Sequence, residues 1–351
     1  MKKFKIYAFL TSLLFGSISV SAQSMLELYF GGNKDSLRNE ATKLIHIPEP
    51  TFNTAVKMIE PSPATIAEMG FEQVYKSENR FFTVRDNKKI FAYKFPYQSD
   101  NTIILIHGVG SSAYMYNKTA GLLQDATQAE VYAIDLRGHG QSDGTSGDVD
   151  YINQYTDDLA DIVRIIRKEK PNRKIIIVGH SMGGGVALRY AMEKQYEQPD
   201  GFLLFAPLIG HNSPAFLQGQ ATENIAEEPF MKIHIERIIG LKMLNEIDNH
   251  HYDSLPVLFF NLPEAVPLRK YSYRANASMT PDDYVTGLMA VNEPMLVLIG
   301  SEDEAFSAEA LRKAVLDNST GEMQIIEGTS HNGVRHNAQS FTFIKGWFTK
   351  L

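Results

Sequence analysis

From about residue 80 onward, short apolar runs alternate with helical patterns, and this alternation constrains the fold most strongly. The runs are "TIILIHG", "EVYAIDLRG", "KIIIVGH", "GFLLFAP", "MLVLIGS" and "EMQIIEG". Such continuous runs, rich in Ile, Val and Leu, are typical of strands buried on both faces. The intervening segments, such as "YINQYTDDLADIVRIIRKEK", carry apolar residues at helical spacing. Strands alternating with helices predict an α/β fold built on a mostly parallel sheet covered on both faces.

A hairpin is predicted ahead of these runs. The segments "RFFTVRD" and "KIFAYKF" read as two strands joined through Asn87, Lys88 and Lys89. They would add antiparallel pairing at the start of the sheet.

The composition excludes several classes of function. Of the 351 residues, 44% are hydrophobic and 21% are charged, which is ordinary for a globular protein. Acidic residues number 41 against 34 basic ones, and no basic tract stands out, so nucleic acid is not expected as a partner. The chain has no cysteine, which removes disulfides, thiol catalysis and thiolate metal sites.

The N-terminus has the pattern of a secretory signal peptide over residues 1–22. Three lysines precede the apolar run "IYAFLTSLLFGSISV", and small residues follow at Val20 and Ala22. The run of about 15 residues is shorter than the roughly 20 that span a bilayer. We therefore expect cleavage between Ala22 and Gln23 and export to the periplasm or the medium.

Two regions interrupt the alternation of strands and helices. Residues 23–73 form an N-terminal extension, expected to be helical in pieces and packed on a main domain of residues 74–351. About 85 residues, from 208 to about 294, separate two consecutive sheet strands, more than a crossover needs. They include the amphipathic stretch "PFMKIHIERIIGLKMLNEI" at 229–247 and the apolar patch "LPVLFFNLP". Placed after a strand's carboxyl end, this insertion is expected to form a cap.

The stretch "KIIIVGHSMGGGVALRY" places Ser181 where a strand gives way to a helix. A sharp turn there would expose the hydroxyl, and Gly179 and Gly183 would leave room for the turn. The helix N-terminus would direct N–H groups and a positive dipole end at the same point. Neither a G-x-x-x-x-G-K-[S/T] nor a dinucleotide-binding pattern is present. Ser181 is therefore the predicted nucleophile.

A serine nucleophile needs a histidine base and an orienting carboxylate, in the chain order Ser, acid, His. The acidic candidates on the loop after "MLVLIG" are Glu302, Asp303 and Glu304. Asp303, three residues past Gly300, is preferred, with Glu304 next. Of the two histidines that follow, His331 lies nearer the last strand than His336 and is the predicted base.

The oxyanion formed during acyl transfer needs two N–H donors. The expected donors are Met182, which follows the nucleophile, and Val109, in the glycine-rich loop after "TIILIHG". His107 and His180 precede the acid in the chain, so we expect them to be structural and to bond the turn backbones.

The chain resembles the α/β-hydrolases, and within them the monoacylglycerol lipase and lysophospholipase group related to serine aminopeptidases. The resemblance covers residues 80–351 and rests on "HGVGSS", "YAIDLRGHGQSDG" and "GHSMGGGVALRYA". It implies an eight-stranded, mostly parallel sheet with helices on both faces and a cap insertion. It also implies a structural role for Asp135–Gly144. No cofactor or metal is expected, and the adjacent His250 and His251 are interpreted as cap surface.

The predicted function is that of a serine hydrolase that cleaves carboxylic esters through an acyl-enzyme intermediate. The substrate would be a small acylglycerol- or lysophospholipid-like ester with an apolar acyl chain, and membrane contact would be at most transient, through the cap. Two alternatives stay open: an aminopeptidase or amidase that uses the same triad, and a non-catalytic binding module. The extension lies outside the family core and the insertion shows no family pattern. The apolar residues of the insertion, "VLFF" at 257–260 among them, are the basis for expecting an acyl chain over a charged peptide terminus.

Overall fold

The computed structural model describes residues 25–53, 62–217 and 229–351 of the chain. These residues divide into two compact units. The smaller unit contains residues 25–53, 146–152 and 229–277, and the larger unit contains residues 62–145, 153–217 and 278–351. The predicted signal peptide and its cleavage site lie outside the described residues.

Eleven β-strands lie within the described residues. They are β1 (Glu78–Thr83), β2 (Lys89–Phe95), β3 (Asn101–Ile106), β4 (Glu130–Ile134), β5 (Lys174–His180), β6 (Gly201–Phe205), β7 (Met231–Ile233), β8 (Pro256–Phe260), β9 (Lys270–Ser272), β10 (Met295–Gly300) and β11 (Glu322–Ile326). The larger unit holds an eight-stranded sheet in the order β1-β2-β4-β3-β5-β6-β10-β11. In it β2 pairs antiparallel with β1 and β4, and the other neighbours pair parallel. This confirms the predicted α/β fold and hairpin.

Eleven α-helices lie within the same described ranges. They are α1 (Met25–Phe30), α2 (Lys34–Ile45), α3 (Pro63–Met69), α4 (Asn117–Thr127), α5 (Gln154–Glu169), α6 (Met182–Met192), α7 (Ile235–Glu246), α8 (Tyr273–Ala277), α9 (Tyr284–Met289), α10 (Ala308–Asn318) and α11 (Ala338–Phe348). Short 3-10 helices span Ala113–Tyr116 and Gly333–Arg335. None of the described helices is both long and apolar enough to span a membrane.

The core of the larger unit explains the apolar runs of the sequence. Every residue of β4, β6 and β10 is buried, as expected for strands covered on both faces. The apolar stripe of α5 is buried as well, including Leu159, Ile162 and Val163. Because the central strands run parallel, their carboxyl ends share one edge of the sheet. The loops at that edge and the first residue of α6 carry all the predicted site residues.

The smaller unit contains the antiparallel sheet β7-β8-β9. The apolar patch "VLFF" within the insertion, Val257–Phe260, belongs to its central strand β8 and is buried. The predicted helix over 229–247 is wrong at its start, because Met231–Ile233 pair with β8 as a strand. The helix α7 begins only at Ile235, where the His234 side chain accepts a hydrogen bond from the Arg237 N–H.

The N-terminal extension is divided between the two units. Helix α2 packs on α7 in the smaller unit, so closely that a Cβ on Gly240 would lie 2.8 Å from the Ala41 carbonyl oxygen. The Arg237 side chain donates to the Ile45 carbonyl across the same contact. Residues 62–73 lie instead in the larger unit. The part of the extension that lies in the smaller unit thus packs on α7, a helix within the predicted insertion, and buries the apolar face of α2 there.

The insertion at 208–294 is divided as well. Its described residues 229–277 lie in the smaller unit, whereas residues 208–217 and 278–294 belong to the larger unit. In the smaller unit the His250 Nδ1 atom lies 2.9 Å from a carboxylate oxygen of Asp253. Within the described residues no group of three or more His, Asp or Glu side chains is arranged to hold a metal ion.

Candidate active site

Ser181 lies in the turn between β5 and α6, in a backbone conformation that serine rarely adopts. Its φ is 53° and its ψ is −116°. Such strain persists only where neighbouring groups fix the backbone. Here the Ser181 N–H donates to the Phe205 carbonyl at 3.0 Å, and the Ser181 carbonyl accepts from Leu208 N–H at 2.9 Å. The backbone of β6 and the segment after it therefore hold the turn in place.

The two glycines that flank Ser181 are required by close approach. A Cβ on Gly179 would lie 2.3 Å from the Gly183 carbonyl carbon. A Cβ on Gly183 would lie 2.4 Å from the Ile106 carbonyl oxygen at the end of β3. Any side chain at either position would push α6 away from the sheet. The structure thus agrees with the expectation that glycine is needed at both positions to leave room for the turn.

Asp303 and His331 meet across two neighbouring loops. Asp303 follows β10, His331 follows β11, and His331 Nδ1 lies 2.8 Å from a carboxylate oxygen of Asp303. The other Asp303 oxygen accepts N–H bonds from Ala305 and Phe306, each at 2.8 Å. The Asp303 side chain is completely buried, so these bonds hold it in one orientation. Because the carboxylate accepts from Nδ1–H, the Nε2 atom of a neutral His331 is left free of a proton.

The other candidates for acid and base lie elsewhere. Glu304 accepts a hydrogen bond from the backbone N–H of His331 at 3.0 Å. Its carboxylate therefore supports the loop, whereas Asp303 bonds the imidazole ring. His336 Nε2 lies 3.0 Å from the Thr119 hydroxyl, and burial lowers the pKa of His336 to about 3. The structure thus brings Asp303 to His331 and leaves His336 without an acidic partner among the described residues.

The loop after β3 passes beside the turn that carries Ser181. A Cβ on Gly108 would lie 3.4 Å from Ser181 Cβ. The backbone N–H groups of Val109 and Met182 donate no hydrogen bond to any residue in the described part of the chain. Met182 is the first residue of α6, where a helix offers N–H groups without internal partners. Both predicted donors are therefore available to a ligand.

The family model described as "Serine aminopeptidase, S33" matches residues 97–335, more than half of the chain. The chain belongs to this α/β-hydrolase family. The match includes all five predicted site residues and the whole of the sheet from β3 to β11. It excludes the extension, including α3.

Curated relatives match the family core over shorter segments. The rat monoglyceride lipase is 33% identical over 107 residues, which are 30% of this chain and 35% of that protein. The monoacylglycerol lipase of Mycolicibacterium smegmatis is 34% identical over 88 residues, 25% of this chain and 31% of that protein. The matches to both lipases thus span about a third of each relative's length. They support the resemblance to the monoacylglycerol lipase group.

Solved structures share the fold at low sequence identity. An esterase of Pyrococcus furiosus superposes with a TM-score of 0.52 at 16% identity, over 87% of this chain and 97% of that one. A monoacylglycerol lipase of Paleococcus ferrophilus has a TM-score of 0.50 at 20% identity, over 74% of this chain and 98% of that one. At these identities the likeness shows the α/β-hydrolase fold.

Two histidines of the family motifs bond the loops around Ser181. His107 donates from Nδ1 to the Gly108 carbonyl at 2.8 Å and accepts the Leu136 N–H at Nε2, as expected of a structural residue. Burial lowers the pKa of His107 to about 4. The His180 Nε2 atom lies 3.0 Å from the His331 carbonyl oxygen. His180 therefore also bonds the backbone, but in the loop that carries the predicted base. Its Nδ1 atom lies 2.6 Å from the Tyr116 hydroxyl.

Sequence reasoning did not single out Tyr116 or Arg335. Both side chains are buried in the larger unit, and the Arg335 guanidinium carbon lies 4.3 Å from the centroid of the Tyr116 ring. No local pattern indicates this pair, because the two residues belong to segments more than 200 positions apart in the chain. Only the fold brings them together.

Proposed function

We propose that the chain is a serine hydrolase that cleaves carboxylic esters through an acyl-enzyme at Ser181. The observation that carries the proposal is the hydrogen bond between the His331 ring and the buried Asp303 carboxylate, on the edge of the sheet where the strained turn carries Ser181. The free N–H groups of Val109 and Met182 add donors for a developing oxyanion. A histidine oriented by a buried carboxylate, on the same sheet edge as a serine, is the arrangement that nucleophilic catalysis requires.

In the proposed first step, the Ser181 hydroxyl oxygen attacks the ester carbonyl carbon and His331 Nε2 takes the hydroxyl proton. Asp303 stabilises the imidazolium that forms. The carbonyl oxygen gains negative charge and accepts hydrogen bonds from Val109 and Met182. His331 then gives its proton to the leaving alkoxide, so the alcohol departs and the acyl group stays on Ser181. Water repeats the sequence and releases the carboxylic acid.

The proposed substrate is an acylglycerol- or lysophospholipid-like ester with an apolar acyl chain. Two relatives are named as monoglyceride and monoacylglycerol lipases, which supports this class. The apolar residues of β8 do not add support for an acyl-chain site, because they are buried within the smaller unit. Membrane contact, at most transient and through the insertion, remains part of this proposal.

A substrate panel tests the acyl-chain proposal. Among p-nitrophenyl esters, kcat/KM should rise from acetyl to about octanoyl, because each methylene buried in an apolar site contributes about 0.8 kcal/mol, roughly a fourfold gain. Monoacylglycerol and lysophospholipid should be hydrolysed, and aminoacyl-anilides should be poor substrates. A flat or falling series would indicate an esterase for small esters instead.

The second candidate function is an aminopeptidase, and the description of the matched family favours keeping it. It uses the same nucleophile, base and oxyanion donors, so the described catalytic geometry serves both reactions. The same panel separates them: faster cleavage of aminoacyl-anilides than of any ester would replace the lipase-like assignment. A non-catalytic binding module would hydrolyse neither class of compound.

Export is a further proposal, based on the signal-peptide pattern of residues 1–22. Signal peptidase requires small residues just before the cleavage site, and Val20 and Ala22 meet that requirement. The mature protein isolated from its native host should therefore begin at Gln23, as measured by intact mass and N-terminal peptide mapping. Recovery of the chain with Met1 still present would contradict the export proposal.

A further inference from the structure

Arg335 is a buried cation whose position calls for an explanation. Its side chain is 1% exposed, yet it forms no ion pair with a carboxylate of the described residues. Burying a guanidinium costs free energy unless its donors are satisfied, and burial lowers the pKa of Arg335 accordingly. Its Nε atom has no hydrogen-bond partner among the described residues. A residue chosen only to fill a core would not carry this charge.

The partners of Arg335 come from separate segments of the chain. One terminal nitrogen donates to the Met115 carbonyl at 3.1 Å, in the 3-10 helix after the loop of Val109, and to the Thr119 hydroxyl at 3.5 Å, in α4. The other donates to the Met69 carbonyl at 2.8 Å, at the end of α3, and to the Asn332 side chain at 3.2 Å. The planar fork of an arginine can bond several acceptors at once. Arg335 thereby ties the loop of His331 to the segment that follows the oxyanion loop.

Tyr116 extends this connection to the nucleophile. Gly108 N–H donates to the Tyr116 hydroxyl at 2.8 Å, and that hydroxyl lies 2.6 Å from His180 Nδ1. A carbonyl only accepts, so His180 Nε2 carries the proton that bonds the His331 carbonyl, and Nδ1 accepts from Tyr116. The residues before Val109 and Ser181 are thus joined to the backbone of His331. Arg335 packs its guanidinium on the ring at the centre of this chain of bonds.

Helix α3 is tied to the same loop, although it precedes the region matched by the family. The Ser330 hydroxyl donates to the Glu68 carboxylate and accepts the Gly333 N–H at 3.0 Å. A Cβ on Gly70 would lie 2.7 Å from the His336 ring. The bond from Arg335 to Met69 therefore belongs to a set of contacts that hold the end of α3 against the loop of His331.

We propose that Arg335 is a positioning residue, and this proposal rests on the proposed serine hydrolase function. Arg335 fixes the Tyr116 ring and bonds the backbone on both sides, and it thereby holds the loop of His331 in place relative to the loop of Val109. Arg335 contacts neither Ser181 nor the imidazole of His331 in any hydrogen bond, so it acts through other residues. A displacement of a catalytic loop by about 1 Å can lower a rate about 100-fold. Loss of the Arg335 guanidinium should therefore affect kcat more than KM.

The test is a double-mutant cycle on the mature chain with p-nitrophenyl butyrate. Arg335→Met should lower kcat about 10- to 100-fold with KM changed less than about threefold, and Tyr116→Phe should lower kcat by a similar factor. Because Arg335 acts through Tyr116, the double variant should lose much less than the product of the two factors. Additive losses, or an unchanged kcat in Arg335→Met, would overturn the proposal.

Arg173→Met is the matched control. Arg173 is also largely buried and bonds Thr102 and Glu130 at the amino ends of β3 and β4, the edge opposite the site. It should lower the melting temperature and leave kcat close to wild type. A comparable fall in kcat for this control would show general destabilisation and overturn the positioning role.

If Arg335→Met does not fold, Arg335→Lys replaces it in the cycle, since lysine keeps the charge but cannot bridge Met69, Met115 and Asn332 together. A wild-type kcat in Arg335→Lys would then refute the bridging role. An active wild type with a fully active Arg335 variant refutes this inference alone, whereas a wild type inactive on every ester refutes the proposed function and the inference with it.

Discussion

Replacing Ser181 with alanine should reduce kcat for p-nitrophenyl butyrate by about 10⁴- to 10⁶-fold and abolish labelling by a fluorophosphonate probe. The expected loss is this large because no acyl-enzyme can form without the hydroxyl oxygen. The oxyanion donors and the substrate site would persist, so a small residual rate above the reaction in water should remain. Steady-state kinetics and the mass of the labelled protein measure both effects.

Ser213→Ala is the matched control for this substitution. Ser213 and Ser181 are both 9% exposed and lie in the same unit, but the Ser213 hydroxyl only accepts the Ala215 N–H, at 3.1 Å. Its loss should leave the labelling and kcat unchanged. Labelling that persists in Ser181→Ala would show that another residue reacts with the probe and would remove Ser181 from its proposed role.

The turn at Ser181 could be predicted from the sequence because its determinants are local. A β-branched run, a glycine on each side of the serine and a helical pattern are contiguous, and the steric need for Gly179 and Gly183 follows from the turn itself. The strands were predictable for a similar reason, since burial on both faces leaves apolar runs. Chain order and strand ends then indicated the loops that carry Asp303 and His331.

Sequence spacing favoured Asp303 as the acid but left the adjacent Glu304 as an alternative. Asp303 and Glu304 both contact His331, one at the ring and the other at the backbone N–H. Which carboxylate meets the ring depends on how the chain turns after β10, and that turn is fixed by the N–H groups of Ala305 and Phe306 bonding Asp303. The direction in which each carboxylate points is set by the folded loop and leaves no periodic pattern in the sequence.

Contacts between distant segments account for the other differences. The predicted helix included β7 because this segment adjoins the helical spacing of Ile235, Ile238 and Leu241. Met231 and Ile233 instead alternate with Lys232, as in a strand, and they pair with β8. Likewise, the packing of α2 on α7 depends on Gly240, which by itself reads as a weak point in a helix. The pairing of Arg335 with Tyr116 is also a property of the fold.

Replacing His331 with alanine should lower kcat by about 10⁴- to 10⁶-fold, close to the effect of losing Ser181. The two effects are similar because residues that act as one catalytic unit have effects that do not add. Without Nε2 the Ser181 hydroxyl keeps its proton at neutral pH and attacks poorly. The double variant Ser181→Ala/His331→Ala should be little worse than either single variant. Steady-state kinetics at saturating p-nitrophenyl butyrate gives the three values of kcat.

His336→Ala is the control that separates the two histidines after the acid. The His336 side chain bonds only the Thr119 hydroxyl among the described residues, and burial lowers the pKa of His336 to about 3, so the ring is uncharged near neutral pH. Its removal leaves a cavity beside Gly70 and should lower the melting temperature, while kcat of the folded protein should stay within about threefold of wild type. A severe loss of kcat in His336→Ala, with His331→Ala active, would reverse the base assignment. The hydrogen bond from the His331 ring to the buried Asp303 carboxylate, which His336 lacks, is the physical reason to expect the opposite.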